Sequence, residues 1–511
     1  MNVSTALRSG LGIPVRRAGT VLPFYLLATG AIVVARAPIL VGAGAAFVLL
    51  DSQGRIDPLV SELRRLDRSG FDPESPESVP PGLLEAIGGL VTPSVLGILG
   101  TVALASIILL LLARAAAAAA TLGAVYAALR GDDPLTEGVA GIARHWRAFV
   151  GLGVLRAALF GLAGTPLLFG VLLAPPGPVG IALALLAGLL SALLALLVTL
   201  ALAFVGQAVV VEGAGVLRAV RRSAGFAVRR PVAFLFYAIV AGAALVLSGT
   251  LTAAFNLAGA PQAAAVIATL AVVPIVDGFK TSLYAERGLP ERSLPAGELP
   301  EGEPPERERD EPPRRRVVGA FRRGWRRLGA FVRSHPAANL AGLACLGLGV
   351  AAGWLTTAPY GVQIDPPGEV LNVFGAIPVG PFVNIAANNW LVGASAAYGG
   401  VALGVPTATT LLFNGVVVGA LAGVFDGVAF LALVAPHGVI ELPAIAVAGG
   451  LGFHLGRVGW DALRGRRDAA SVGEEIGRAF DVLLGLALVF VVAAFVEAFL
   501  TPRVAALVLG G

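Results

Sequence analysis

Windows of about 20 consecutive apolar residues recur along this chain, each long enough to cross the hydrocarbon core of a bilayer as a helix. Six fall in the first 285 residues, at about 21–48, 94–113, 151–174, 179–206, 232–254 and 262–283. Five follow, at about 336–357, 382–401, 407–425, 428–456 and 478–499. Lipid offers an exposed backbone no hydrogen-bond partner, so spans of this kind must satisfy their own amides and carbonyls as helices. The expected fold class is therefore all-α, a polytopic helical membrane protein with about eleven transmembrane helices in two membrane domains. Composition agrees: 57% of the 511 residues are hydrophobic and 14% are charged, where a soluble domain carries about 25% charged residues.

The two groups of windows are separated by AERGLPERSLPAGELPEGEPPERERDEPPRRR, residues 285–316, which is rich in Pro, Glu and Arg and has little to bury. Such composition predicts disorder. The domains read as a six-span unit over 1–285, a linker over 286–316 and, over 317–511, an amphipathic helix followed by five spans. In that helix Val317, Val318, Phe321, Trp325, Leu328 and Val332 recur at helical spacing against Arg322, Arg323, Arg326, Arg327 and Arg333. An arginine-rich amphipathic helix is suited to lie on anionic lipid headgroups at the cytoplasmic face; the plainer reading is the positive flank of a span.

Arginine-rich short loops stay in the cytoplasm. Arg16 and Arg17, Arg144 and Arg147, Arg218 to Arg230, Arg314 to Arg333, and Arg464 to Arg467 all fall on one side under this count. The opposite side receives the acidic loop 51–91 and the loop with Asp365 and Glu369, giving a cytoplasmic N-terminus and an external C-terminus in the cell membrane. The apolar stretch Val21–Leu50 is too long for the core of a cleaved export signal and reads as an uncleaved first span. The formal net charge of +5 comes from arginine, with Lys280 the one lysine, so nucleic acid is not an expected partner. The single cysteine, Cys345, rules out an intramolecular disulfide and gives no support to a Cys-based zinc site. The external loop has carboxylates without a neighbouring histidine and reads as a solvated surface.

In the first domain, VEGAGVLRAVRRSAGFAVRRPVAF, residues 211–234, predicts a second amphipathic cytoplasmic helix. Its Glu212, Gly213, Ala219, Ser223 and Pro231 resemble the membrane domain associated with some glycerophosphodiester phosphodiesterases, although no segment here could house the phosphodiesterase itself. Arg36 and Arg114, in or beside apolar runs, read as snorkelling or boundary residues, and Asp277 and Lys280 as residues of the cytoplasmic end of the sixth span.

The second domain places polar groups inside its apolar windows: Asn384, Asn388 and Asn389 in FVNIAANNWLVG, Asn414 in LLFNGVVVGAL, His437 and Glu441 in APHGVIEL, and Glu497 in AAFVEAFLTP. Intramembrane ionisable groups are functional by default, whereas asparagines serve as often to join helices. Asn384 and Asn388 share a helix face, as do His437 and Glu441. Pro436 and Gly438 predict a helix break that opens a half-helix beside a protected polar pocket. Small residues at three- and four-residue intervals in GVALGVPTATTLLFNGVVVGALAGVF predict close helix packing, which would bring Asn414 near that break.

The succession FVNIAANNW, LGVPTATTLLFNG, APHGVIELPAIAVAGGLGFHLG and AAFVEAFLTP resembles the stage II sporulation protein M family, an integral membrane family, over roughly residues 325–511. The resemblance implies a membrane subunit. In spore formers the family member belongs to the engulfment machinery that includes peptidoglycan hydrolases. Other members occur in gene clusters with MoxR-type ATPases and RDD-type membrane proteins. The additional six-span domain here departs from the sporulation member.

Three functions remain open on sequence grounds. The first is a non-enzymatic scaffold or permease-like subunit with a polar intramembrane centre, needing no cofactor or resident metal, with membrane-protein partners or further copies of itself. The absence of a G-x-x-x-x-G-K-[ST] loop means that any transport draws on an ion gradient or a partner. The second is an intramembrane enzyme using His437 with Glu441 and Glu497, for which the second histidine of an H-E-x-x-H helix is missing and His145, His335 and His454 are poorly placed. The third is a purely structural membrane protein.

Overall fold

A computed structural model describes residues 3–69, 81–289, 313–361, 374–375 and 377–509. The described residues form helices joined by short turns. In the first half these are α1 (Val3–Arg16), α2 (Ala18–Val33), α3 (Arg36–Ser52), α4 (Ile56–Ser69), α5 (Pro81–Gly89), α6 (Pro93–Arg130) and α7 (Pro134–Leu172). They continue with α8 (Pro178–Ala201), α9 (Val205–Glu212), α10 (Val216–Arg229), α11 (Pro231–Leu257), α12 (Pro261–Ile267) and α13 (Val273–Ala285). The second half supplies α14 (Pro313–Ser334), α15 (Pro336–Thr357), α16 (Val379–Gly399), α17 (Val405–Val424), α18 (Gly427–Leu463), α19 (Ala469–Phe495) and α20 (Thr501–Leu509). Most of the linker, residues 290–312, and the loop residues Asp365 and Glu369 lie outside the described residues.

Ten helical stretches among the described residues are long and apolar enough to cross a membrane, which makes this a polytopic all-α protein. The eleventh window of the sequence, α16, is not among them; its 21 residues contain Asn384, Asn388 and Asn389. Asn389 is buried, Asn384 half-buried and Asn388 exposed, and the later turns of the helix are enclosed by protein. Trp390, Ala394, Ala397 and Tyr398 all belong to the main hydrophobic core, whereas α8 buries only Gly180 and Ser191 and exposes most of its leucines.

The two halves share that core. Phe24, Leu26 and Val125 from the first half are in one cluster with Tyr398, Leu451, Ile476 and Phe490 from the second. The contacts are backbone-close: a Cβ on Gly30 of α2 would lie 2.5 Å from the Gly399 amide nitrogen, and one on Gly473 of α19 would lie 2.7 Å from the Leu135 carbonyl carbon. Without a hydrophobic driving force in lipid, small residues and interhelical hydrogen bonds do the joining. Trp390 Nε1 donates to Leu483 O at 2.9 Å, Tyr398 OH to Ile476 O at 3.0 Å and Thr407 Oγ1 to Ala396 O at 2.6 Å, tying α16 to α19 and α17. The glycine face of α17 meets α15, where a Cβ on Gly349 would come 2.5 Å from Leu412 O and 3.0 Å from Gly415 Cα.

Two expectations need correction. α18 runs unbroken from Gly427 to Leu463 with Pro436 and Pro443 inside it, so Pro436 and Gly438 do not open a half-helix. Prolines seven residues apart stack on one face, so the missing amide donors fall on one side of the helix and the other rows of backbone bonds stay complete. Gly438 is not among the glycines of positive φ. The interruption lies instead in α19, which passes into a π-helical turn, Val496–Leu500, before α20. Pro502 accounts for it: in a regular helix its ring would clash with the Ala498 carbonyl, and the wider turn avoids this, with the Thr501 amide bonding Val496 O. Pro274 follows an equivalent π turn, Ala268–Val272, in the first half.

The second concerns one edge of α14, the helix read from the sequence as lipid-facing or as the positive flank of a span. Leu328 and Phe331 are buried, and a Cβ on Gly324 would lie 2.8 Å from Asp481 O and Gly485 N. The side with Gly324, Leu328 and Phe331 therefore docks on α19, while Val317, Val318, Trp325 and Val332 remain exposed together with Arg322, Arg326 and Arg327, and Arg323 is half-buried. Glycine at 324 and 485 lets the helices approach more closely than an interfacial helix alone would require.

Candidate intramembrane site

The site is built by three helices. His437 and Glu441 are one turn apart on the same face of α18, and Glu497 enters from the π turn that follows α19. A ring nitrogen of His437 and one carboxylate oxygen each of Glu441 and Glu497 lie within 4.8 Å of one another, and all three residues are half-buried. The windows that carry them are far apart in the chain, and the structure closes some 60 residues of separation into one cluster. π turns redirect the side chains they contain and recur at functional sites, and this one aims Glu497 at α18.

Neighbouring groups complete the arrangement. Thr501, buried in the turn, donates from Oγ1 to Val496 O at 3.2 Å and lies 3.4 Å from His437 Nδ1. When its one proton goes to the carbonyl, the hydroxyl accepts from the ring, and the matching neutral tautomer carries its proton on Nδ1 and its lone pair on Nε2. From α16, the Asn389 amide comes up beside the Glu441 carboxyl, yet Asn389 Nδ2 and Glu441 Oε2 are both buried without a completed hydrogen bond. Asn388 donates from Nδ2 to Asn389 Oδ1 at 3.2 Å, holding that amide. Two carboxylates in apolar surroundings cannot both be charged without a proton or a cation between them. Neutral protonated carboxyls, a shared proton or a bound cation would each relieve that charge.

The other asparagines do different work. Asn384 accepts from the Gln262 backbone amide at 2.9 Å and so caps the start of α12, joining the two halves. Asn414 donates to Thr410 O of its own helix at 2.8 Å, and the glycine face around it packs on α15. His454 pairs with Glu475 at 3.2 Å, and its ring is 4.5 Å from that of His335. In the first half, Asp277 accepts from Tyr25 OH at 3.1 Å and Lys280 lies 5.7 Å from the centre of the Tyr237 ring, a second polar group within the bundle.

Sequence reasoning missed Thr501 and Tyr25. Thr501 was findable, since it stands one helical turn after Glu497 and directly before a proline; Tyr25 carried no such signal, because its partner is 252 residues away.

Residues 342–502 match the family model described as stage II sporulation protein M, and this region holds every residue of the His437 centre. A relative described as an uncharacterized protein of Methanocaldococcus jannaschii is 29% identical over 129 residues, covering 24% of this chain and 72% of the relative. No solved structure matches the chain significantly.

Proposed function

We propose that this chain is a non-enzymatic, permease-like subunit of a membrane assembly, and that its C-terminal domain holds a small cation at the His437–Glu441–Glu497 centre. The observation that carries this reading is the meeting of an imidazole and two carboxylates in apolar surroundings, with Glu441 Oε2 buried and unpartnered. A carboxylate kept in that state is ready for a cation, and intramembrane ionisable groups mark ion paths. The shared core of the two halves and the docking of α14 on α19 support a single unit with a cytoplasmic basic face suited to partners or anionic lipid. On the arginine distribution, the N-terminus is cytoplasmic and the C-terminus external in the cell membrane.

The test is ion flux into proteoliposomes containing the purified full-length chain, run across a panel of monovalent and divalent cations. Uptake that falls to the protein-free background in the Glu441→Gln, Glu497→Gln double variant is the expected result; uptake unchanged by both substitutions overturns the reading. The same donor set could serve an open hydrolytic zinc centre. Glu441-dependent cleavage of a peptide or ester substrate would favour that second reading.

A further inference from the structure

We propose that His437, Glu441 and Glu497 are three ligands of one divalent transition-metal cation of the zinc class. This inference rests on the cation-binding reading above and names its ion. The donors are already gathered within 4.8 Å. Around a tetrahedral ion with bonds of about 2.0–2.1 Å, neighbouring ligand atoms stand roughly 3.4 Å apart, so side-chain rotation of about 1 Å closes the set without moving a helix.

Three features select the class of ion. An imidazole donor disfavours magnesium and calcium, which take oxygen ligands, and favours zinc and its transition-metal neighbours. Two carboxylates balance a divalent ion, so the filled centre is neutral, as apolar surroundings demand. The remaining features are the outer shell that metal-binding histidines and carboxylates ordinarily possess. Thr501 Oγ1, 3.4 Å from Nδ1, would accept from that nitrogen in the tautomer that leaves Nε2 for the ion. The Asn389 amide, held by Asn388 and lacking an acceptor, is in place to bond Glu441 once that carboxylate turns onto a cation. Three protein ligands leave one position open, which suits an ion that exchanges.

The experiment is titration of chelator-treated, detergent-purified full-length protein with zinc chloride, followed by desalting and elemental analysis, with cobalt chloride as an optical probe. The expected outcome is close to one zinc per chain and a visible cobalt band of tetrahedral character. Both are lost in His437→Ala and in the Glu441→Gln, Glu497→Gln double variant, and retained in Asn414→Ala, whose amide bonds its own helix. A stoichiometry below about 0.1 in folded wild-type protein overturns the inference, and so does binding that survives His437→Ala. Should His437→Ala fail to fold, Thr501→Val, which leaves all three donors in place, is expected to weaken zinc binding by about 10-fold or more, in the range typical of outer-shell losses; unchanged affinity there counts against the proposal. If zinc does not bind while flux of a monovalent cation still depends on Glu441 and Glu497, the cation centre stands and only its metal assignment fails.

Discussion

Replacing Glu441 by glutamine should make the protein more stable while disabling its centre. Glu441 Oε2 is buried with no hydrogen-bond partner, a state that costs about 1–3 kcal/mol. Its ligand oxygen also lies within 4.8 Å of that of Glu497. Two full charges no farther apart than that repel by about 3.5 kcal/mol or more at an effective dielectric of about 20, a repulsion that sharing a proton reduces. Glutamine keeps the shape, removes the second charge and offers an amide donor to Glu497. A net gain of about 1–3 kcal/mol is expected, and for a domain of about 200 residues each kcal/mol raises the melting temperature by about 2–4 °C. The assay is thermal unfolding in detergent, followed by tryptophan fluorescence, at pH 8 with chelator present. A melting temperature equal to or below wild type would refute the reasoning, because it would mean that the carboxylate is satisfied by groups that glutamine cannot replace. Sites that trade stability for function behave in the direction predicted here.

Other perturbations separate packing from the centre. Gly415→Leu inserts a side chain where the backbones of α15 and α17 touch, and should lower the melting temperature by about 5 °C or more or abolish monodisperse elution, the overpacking cost being about 1–3 kcal/mol or above. Asn384→Leu deletes the cap on α12 and should destabilise by about 0.5–2 kcal/mol in the same melt while leaving cation uptake intact. His335, between α14 and α15, has its pKa lowered from 6.5 by burial first and then by the neighbouring His454. Its neutral form is favoured in the fold, so its contribution is fully present above about pH 6.5 and is lost as pH falls through and below that value. The fall in melting temperature between pH 7.5 and pH 5.5 should therefore be shallower in His335→Asn than in wild type.

The features legible in the sequence were those set by local composition. Apolar windows announced the helices, the asparagine-bearing α16 included, and the four-residue spacing of His437 and Glu441 placed them on one face. The continuity of α18 was not legible, because whether a proline breaks a helix depends on what surrounds the missing bond; Pro436 sits in a helix whose other rows of hydrogen bonds hold, while Pro502 widens its turn. Nor was the partner of the α17 glycines, because a small-residue face predicts close packing without saying against what. The choice fell on Gly349 and its neighbours in α15, while Asn414, expected beside the centre, bonds its own helix. The docking of α14 was hidden for a similar reason: an apolar stripe does not say which of its edges meets protein, and Gly324 against Gly485 puts Leu328 and Phe331 on α19 while Val317, Val318, Trp325 and Val332 stay exposed.

A double-mutant cycle measures directly whether Glu441 and Glu497 act as one centre. Melting temperatures of wild type, Glu441→Gln, Glu497→Gln and the double variant, taken in chelator, give the interaction between the two positions. Groups that share a site couple by about 0.5–3 kcal/mol. Either single substitution is expected to relieve most of the repulsion, and the second to add little. Changes that simply add, within about 0.3–0.5 kcal/mol, would show two independent carboxyls and contradict a shared centre.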